Sequence, residues 1–420
     1  MRLRTLLRSS SATLMLPLLA GFVVFLLNDT LALNATAGYG PSTVGQASYV
    51  LAFAAAACAG SAAWEGARLK RGQVFGRAPA RGPLAIALPV LAPVWGMGMT
   101  GLAAALLISA SAVGAPPAPS HLGMVGAQAL LLAAATLTGY LAGCLLPGIA
   151  AAPIALTAGF CLTAFPVSMN SSWPRHLVAG AFSECCSVGS VIDPRAIWAP
   201  VAFATGVIAA ALLLIHRSTL RSRAVALLLV AAGTAAALPP ALGLGYSPLT
   251  ARDASELVCD TRDRPQVCLW PELATDSRVV SQTRVYAARL EQAGLRVPAV
   301  LTENRDPGPG EARFAVPSRP QAAEIALNLA SAVMPGIPEC ARRTGTFPSY
   351  PARAPVMAWI TSVALQTPPG PEHLSPNEAT LVQRVLHEPR ERQLAWYESN
   401  RKALTTCDQP PRLELPGAAG

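Results

Sequence analysis

The sequence predicts a polytopic α-helical membrane protein of about seven transmembrane helices, a six-helix permease-like core plus one. A C-terminal extracytoplasmic domain follows, mainly helical or α+β and containing disulfides. Three observations predict this class. Only 13% of the 420 residues are charged and the mean hydropathy is +0.41, outside the range of ordinary soluble domains. The charge is uneven: 13 basic and 4 acidic residues precede Tyr246, whereas the remainder carries 19 of each, so the net +9 belongs wholly to the first part. Six of the nine cysteines fall on what the charge pattern makes the outer side.

Residues 1–245 form the predicted transmembrane domain. Charge-poor stretches near the ~20 residues a bilayer requires run 12–33, 46–64, 83–112, 123–145, 149–168, 196–216 and 224–245. The third is long enough to tilt, or to kink at Pro89 and Pro93. Asp29 and Glu65 lie at span ends, so no ionisable group is expected at depth, which disfavours a proton-driven transporter. Pro239 and Pro240 weaken the seventh span. The first reads as a retained helix, because its apolar run exceeds a usual signal core.

Orientation follows from arginine. With a cytoplasmic N-terminus the inner segments are 1–11, 65–82, 146–148 and 217–223, and they hold 11 of the 13 basic residues; only Arg175 and Arg195 fall outside. Positive charge marks the cytoplasmic side, and an odd number of spans then exports residues 246–420. Lys70 and Lys402 are the only lysines among 32 basic residues, a usage typical of GC-rich bacterial genomes, so the expected location is a bacterial plasma membrane. The basic balance describes the membrane half, and no nucleic-acid partner is expected.

Cys259, Cys268, Cys340 and Cys407 all lie in the exported part, where an oxidising compartment makes them candidates for two structural disulfides. Of three possible pairings, Cys259–Cys268 with Cys340–Cys407 is preferred because the first pair shares a short loop. Zinc would favour C-x2-4-C spacing, and eight residues separate Cys259 from Cys268, although His373 and His387 could complete a site on paper. Cys185 and Cys186 are adjacent in the outer loop 169–195; a bond between them closes a strained ring, so other partners or two free thiols are expected. Cys58, Cys144 and Cys161 sit within spans as small apolar residues.

The chain has no Gly-Lys-Ser/Thr phosphate loop, no HExxH and no GxSxG, so no enzyme activity, cofactor or metal is expected. Within 246–420, helices are expected at 276–294, 320–334, 375–388 (with Ser375 and Glu378 as a capping box) and 390–406. β pieces are expected at "RVPAVL" and "ARFAVP". Glu272, after Trp270-Pro271, either faces a ligand or belongs to a disulfide-tethered turn with Trp270 on the core; the turn is favoured.

The longest inner loop, "EGARLKRGQVFGRAPARG" at 65–82, lies between spans two and three, and the long outer loop lies between spans five and six. This arrangement resembles the permease subunits of ABC type-2 exporters. The turn "LAGCLLPGIAAAP" and the segment "CDTRDRPQVCLWPE" at 259–272 are similar to those of actinobacterial permease-like membrane proteins with an extracytoplasmic tail. The resemblance implies a separate ABC ATPase as partner and a coupling loop carrying Arg68, Lys70, Arg71, Arg77 and Arg81. It also implies a permease-like or accessory role in export. The alternative is a membrane-anchored extracytoplasmic binding or sensing module whose helices serve as anchor. Gly139 and Gly143, at GxxxG spacing, suit close helix contact, either within the bundle or across a homodimer or heterodimer; internal packing is favoured.

Overall fold

The structure, a computed structural model, describes residues 10–74, 82–117, 121–368 and 374–414. The chain divides into two compact units, 1–251 and 252–420. In the first, α1 spans Ala12–Asn34, and α2 (Gly40–Ala47) runs through a 3-10 turn into α3 (Leu51–Arg71). Then come α4 (Pro83–Val113), α5 (Leu122–Leu145), α6 (Gly148–Ala164), the short α7 (Trp173–Leu177), α8 (Pro194–His216) and α9 (Leu220–Leu242).

Among the described residues, six helical segments are long and apolar enough to cross a membrane: Gly40–Arg71, Pro83–Val113, Leu122–Leu145, Gly148–Ser168, Pro194–His216 and Leu220–Leu242. The helix α1 coincides with the first expected span. Prolines 89 and 93 do not interrupt α4, and Pro239 and Pro240 sit in the last turn of α9. Two boundaries differ from expectation for local reasons. Thr219 accepts a hydrogen bond from the Ser222 N–H, a side-chain cap that starts α9 four residues early. Good helix formers carry α3 on to Arg71, with Arg68, Lys70 and Arg71 in the last turn, where cations complement the helix dipole. Part of the expected 65–82 loop is therefore helix.

The segment Gly40–Arg71 is the centre of the bundle. Its most apolar window is 78% buried, against 11% for Gly148–Ser168. Small residues make that possible. A Cβ on Gly139 or Gly143 would overlap the backbone of Ala59 or Ala63, so α5 lies directly on α3 at these glycines. The GxxxG pair is thus spent on an internal contact. Strand β1 (Ser190–Ile192) pairs antiparallel with β2 (Leu249–Ala251), which keeps the chain within the first unit six residues beyond the expected boundary at 245.

In the second unit the hairpin β3 (Val258–Asp260) and β4 (Gln266–Leu269) is antiparallel; β5 (Val300–Thr302) and β6 (Glu311–Arg313) then add in parallel. The helices are α10 (Pro271–Ala274), α11 (Ser277–Gln292), α12 (Ala322–Val333), α13 (Glu339–Thr344), α14 (Arg353–Leu365), α15 (Pro376–His387) and α16 (Arg390–Leu404). Both hydrogen bonds of the Ser375–Glu378 capping box form. The core gathers on α14, which sequence periodicity did not reveal. Trp359 is fully buried, stacks on Tyr397 at 5.2 Å and meets Trp396 edge-on at 6.3 Å.

Candidate functional site

The expected coupling residues divide. Arg68 pairs with Glu65 at 2.8 Å, and Glu65, which has no exposure at all, also accepts the Ser11 N–H at 2.8 Å. Glu65 therefore ties the start of α1 to α3, with one cation and one N–H donor on its carboxylate. The Arg71 guanidinium lies 5.7 Å from the Trp64 ring. Lys70 is exposed in the last turn of α3. Arg77 and Arg81 lie outside the described residues. Deeper in the bundle the buried polar groups are neutral: Gln46, Ser42 and Thr43 on α2, and Gln128, whose amide donates to Ser48 Oγ at 2.5 Å.

The loop between α6 and α8 is folded in. Arg175 is buried and bonded to Glu184, and the His176 imidazole lies 3.0 Å from the Gly245 carbonyl. Burial chiefly holds His176 below its ordinary value. Cys185 and Cys186 are both buried, and the structure joins their sulfurs to each other, where free thiols or other partners were expected. Thr36 Oγ1 donates to the Cys186 carbonyl at 3.1 Å, so the pair is seated against the segment leading into α2.

In the second unit the sulfurs of Cys259–Cys268 and of Cys340–Cys407 lie at bonding distance. Cys259 and Cys268 are register partners on β3 and β4, which explains the short-loop pairing. Among the described residues no group of three or more His, Cys, Asp and Glu side chains could hold a metal ion, and His373 lies outside them.

The 259–272 segment organises two polar sites. On one side, a cleft of about 590 Å³ between the hairpin and α11 holds Asp260, Arg262, Asp263 and Arg284. Asp260 accepts from Arg262 at 2.6 Å and Arg284 at 2.9 Å, and these arginines, Arg262 foremost, hold its carboxyl well below the usual carboxylate range. Two acids offset two arginines, so this cleft is electrically balanced.

At the end of β4, Trp270 is buried and the Arg252 guanidinium lies 4.8 Å from its ring. Arg252 bonds Glu272 and Glu256, each at 2.8 Å. Glu272 is therefore ion-paired in a tethered turn, with Trp270 on the core. The residue that sequence reasoning missed is Glu303, after β5. It is 7% exposed, accepts the Trp270 N–H at 2.8 Å and the Val316 N–H at 3.2 Å, and burial pushes it up to about 7. Among the described residues of this unit it is the one carboxyl raised toward neutrality, where Asp260 is lowered. Among the described residues no nucleophile hydrogen-bonds to it; its two N–H contacts clamp β4 to the chain after β6.

A family described as a domain of unknown function (DUF7224) matches residues 267–407. The matched segment begins inside β4 and ends at Cys407, so it takes in the Trp270–Glu272 turn, Glu303 and the second disulfide, and none of the apolar helices of the first unit. No curated protein and no solved structure matches the chain.

Proposed function

We propose that this protein is a permease-like or accessory membrane subunit of an ABC-type export system, powered by a separate ATPase. It would reside in a bacterial plasma membrane with a cytoplasmic N-terminus and the 252–420 unit outside. The observation that carries this reading is a pairing of features around the apolar helices. The basic end of α3 and the packed loop between α6 and α8 fall where the resembled permeases have their coupling segment and larger outer loop. Arginine asymmetry supports the orientation. In this reading α1, the six longer apolar segments and their small-residue packing form the translocating or accessory bundle, and no residue performs chemistry.

The test is co-expression with a candidate ATPase, preferably one encoded beside it. The two should co-elute in mild detergent, and the ATPase turnover should change in the presence of this chain. Lys70→Glu with Arg71→Glu should abolish both effects. Elution alone, with turnover unresponsive, would overturn the reading. Orientation is checked separately: an impermeant thiol reagent on intact cells should label Ile337→Cys, an exposed position of the second unit.

A second reading, a membrane-anchored extracytoplasmic binding or sensing module, is favoured by the cleft beside the β3–β4 hairpin. Ligand capture by the full chain with no ATPase response would select it.

A further inference from the structure

A second cleft in the 252–420 unit, of about 610 Å³, lies among the ends of α11 and α14 and the junction of α15 with α16. Its charge differs in kind from that of the balanced cleft beside the hairpin. Arg289 and Arg390 both line it, and among the described residues no aspartate or glutamate does. Neither arginine has a carboxylate partner among those residues. Arg289 donates to the Ala364 carbonyl at 2.8 Å; Arg390 donates to the Ala293 carbonyl at 3.0 Å and to Gln393 Oε1 at 3.4 Å. Glu388, two residues before Arg390, is engaged with Arg392 at 3.1 Å.

A guanidinium has five N–H donors, and one or two carbonyl contacts leave most of them unused. Two partly desolvated cations without an anion are costly, and an incoming oxyanion relieves that cost through charge-assisted hydrogen bonds. Burial, with no opposing charge, draws Arg390 below its ordinary value, in keeping with a cation held out of water and uncompensated.

An independent observation comes from Ser362. It lines the same cleft, is only 3% exposed, and its hydroxyl has no hydrogen-bond partner among the described residues. A serine in a helix ordinarily bonds back to the carbonyl four residues earlier, as the neighbouring Thr361 does to Met357 at 2.8 Å. Buried polar groups are rarely left unpaired. This unpaired hydroxyl sits in the wall of the cleft that the two arginines also line, where it offers a third donor. The Arg390 guanidinium is itself fixed, its central carbon 5.6 Å from the ring of the fully buried Trp359.

We infer that this cleft binds a small soluble molecule bearing a carboxylate or phosphate group, with Arg289 and Arg390 gripping the oxyanion and Ser362 Oγ donating to it. The volume suits a ligand of metabolite size. The inference does not depend on the export reading.

The test uses the purified full chain in mild detergent at low ionic strength, titrated with inorganic phosphate and, separately, with succinate. Heat release and the fluorescence of the tryptophan cluster beneath Arg390 are followed together. At least one anion should bind with a dissociation constant below about 10 mM. Arg289→Gln with Arg390→Gln should weaken binding at least about tenfold. Because Arg390 packs on the core, a fold-safe variant accompanies it: Gln292→Glu, at an exposed lining position, adds a carboxylate that competes for the arginines and should weaken binding about fivefold. Arg343→Gln, on the exposed surface, should leave binding unchanged. Two results would each overturn the inference: neither anion binding, or binding that survives the double variant and Gln292→Glu. Equal weakening by Arg343→Gln would overturn it as well, since it would mark nonspecific charge attraction.

Discussion

In the unit ending at Ala251, Leu14, Leu107, Ile149 and Leu227 are turned outward at 73–91% exposure, while Ala54, Ala59, Ala62 and Ala63 are sealed inside. The same unit also buries large side chains such as Tyr140 and Phe182, but in the unit beginning at Arg252 few large apolar groups face outward. Trp359, Trp396, Phe314, Leu290 and Leu301 are buried, and among the described residues only Val258, Val285, Ile337 and Tyr350 are large apolar side chains left exposed. The difference shows which solvent each unit is built for. Water drives large apolar groups inward, because burial of each is worth about 2 kcal/mol. Hydrocarbon offers no such drive, so the bundle coheres in part through close backbone approach at small residues and leaves many large side chains facing outward.

Each unit should therefore fail by its own mechanism. The largest effect belongs to the bundle. Gly139→Leu must intrude on the Ala59 backbone, where a Cβ alone would overlap the carbonyl oxygen, so α5 cannot seat on α3 at all. Its expected outcome is loss of the monodisperse peak on size exclusion in mild detergent, while non-reducing peptide mapping still finds Cys340 joined to Cys407. A normal elution profile would break the comparison.

Next is the reverse experiment. Replacing Cys340 and Cys407 together by serine opens a loop of 67 residues and should destabilise the 252–420 unit by about 4 kcal/mol. Hydrogen exchange should show the loss in α14 to α16 and leave α3 and α5 protected. Equal loosening of both units would show that they do not fold independently.

The third prediction concerns pH. The Glu303 carboxyl is raised from its ordinary value to about 7, so its proton is held more tightly in the folded state. Its stabilising contribution is complete below about pH 4.5 and is lost as pH rises through 7, on the order of 3 kcal/mol in all. Unfolding of the second unit, followed by tryptophan fluorescence between pH 5 and 8, should shift accordingly. Glu303→Gln should flatten the dependence while weakening one of the two N–H contacts. A parallel slope in the variant would remove Glu303 as the cause. The smallest effect is local: Ser375→Ala removes a helix cap and should cost about 1 kcal/mol, read as faster exchange in the first turn of α15.

The parts legible in the sequence were those with a local signature. Runs such as "LLLAAATLTGYLAG" announce a span, and Ser375-Pro376 with Glu378 announces a helix start. Cys259 and Cys268 face each other because a hairpin of so few residues leaves them little choice. The hidden parts were non-local. Helix α14, "RAPVMAWITSVAL", is apolar on nearly every face because helices surround it, so it shows no stripe to count, and its β-branched residues obscure it further. Glu303 reads as one more acid in "LTENRDPGPGE"; only the parallel pairing of β4 with β5 brings it to Trp270, 33 residues away. Arg289 and Arg390 come from helices 101 positions apart in the chain, and nothing near either one announces the other. Arg68 meets Glu65 within one turn of its own helix; the non-local part is the Ser11 N–H that the same glutamate holds, 54 residues away.

The contact of α5 upon α3 at Gly139 and Gly143 has a mechanical consequence. Two rods whose backbones are notched into each other cannot slide or roll without first separating, so they behave as a single beam. Any rocking of the bundle must therefore be hinged outside that beam.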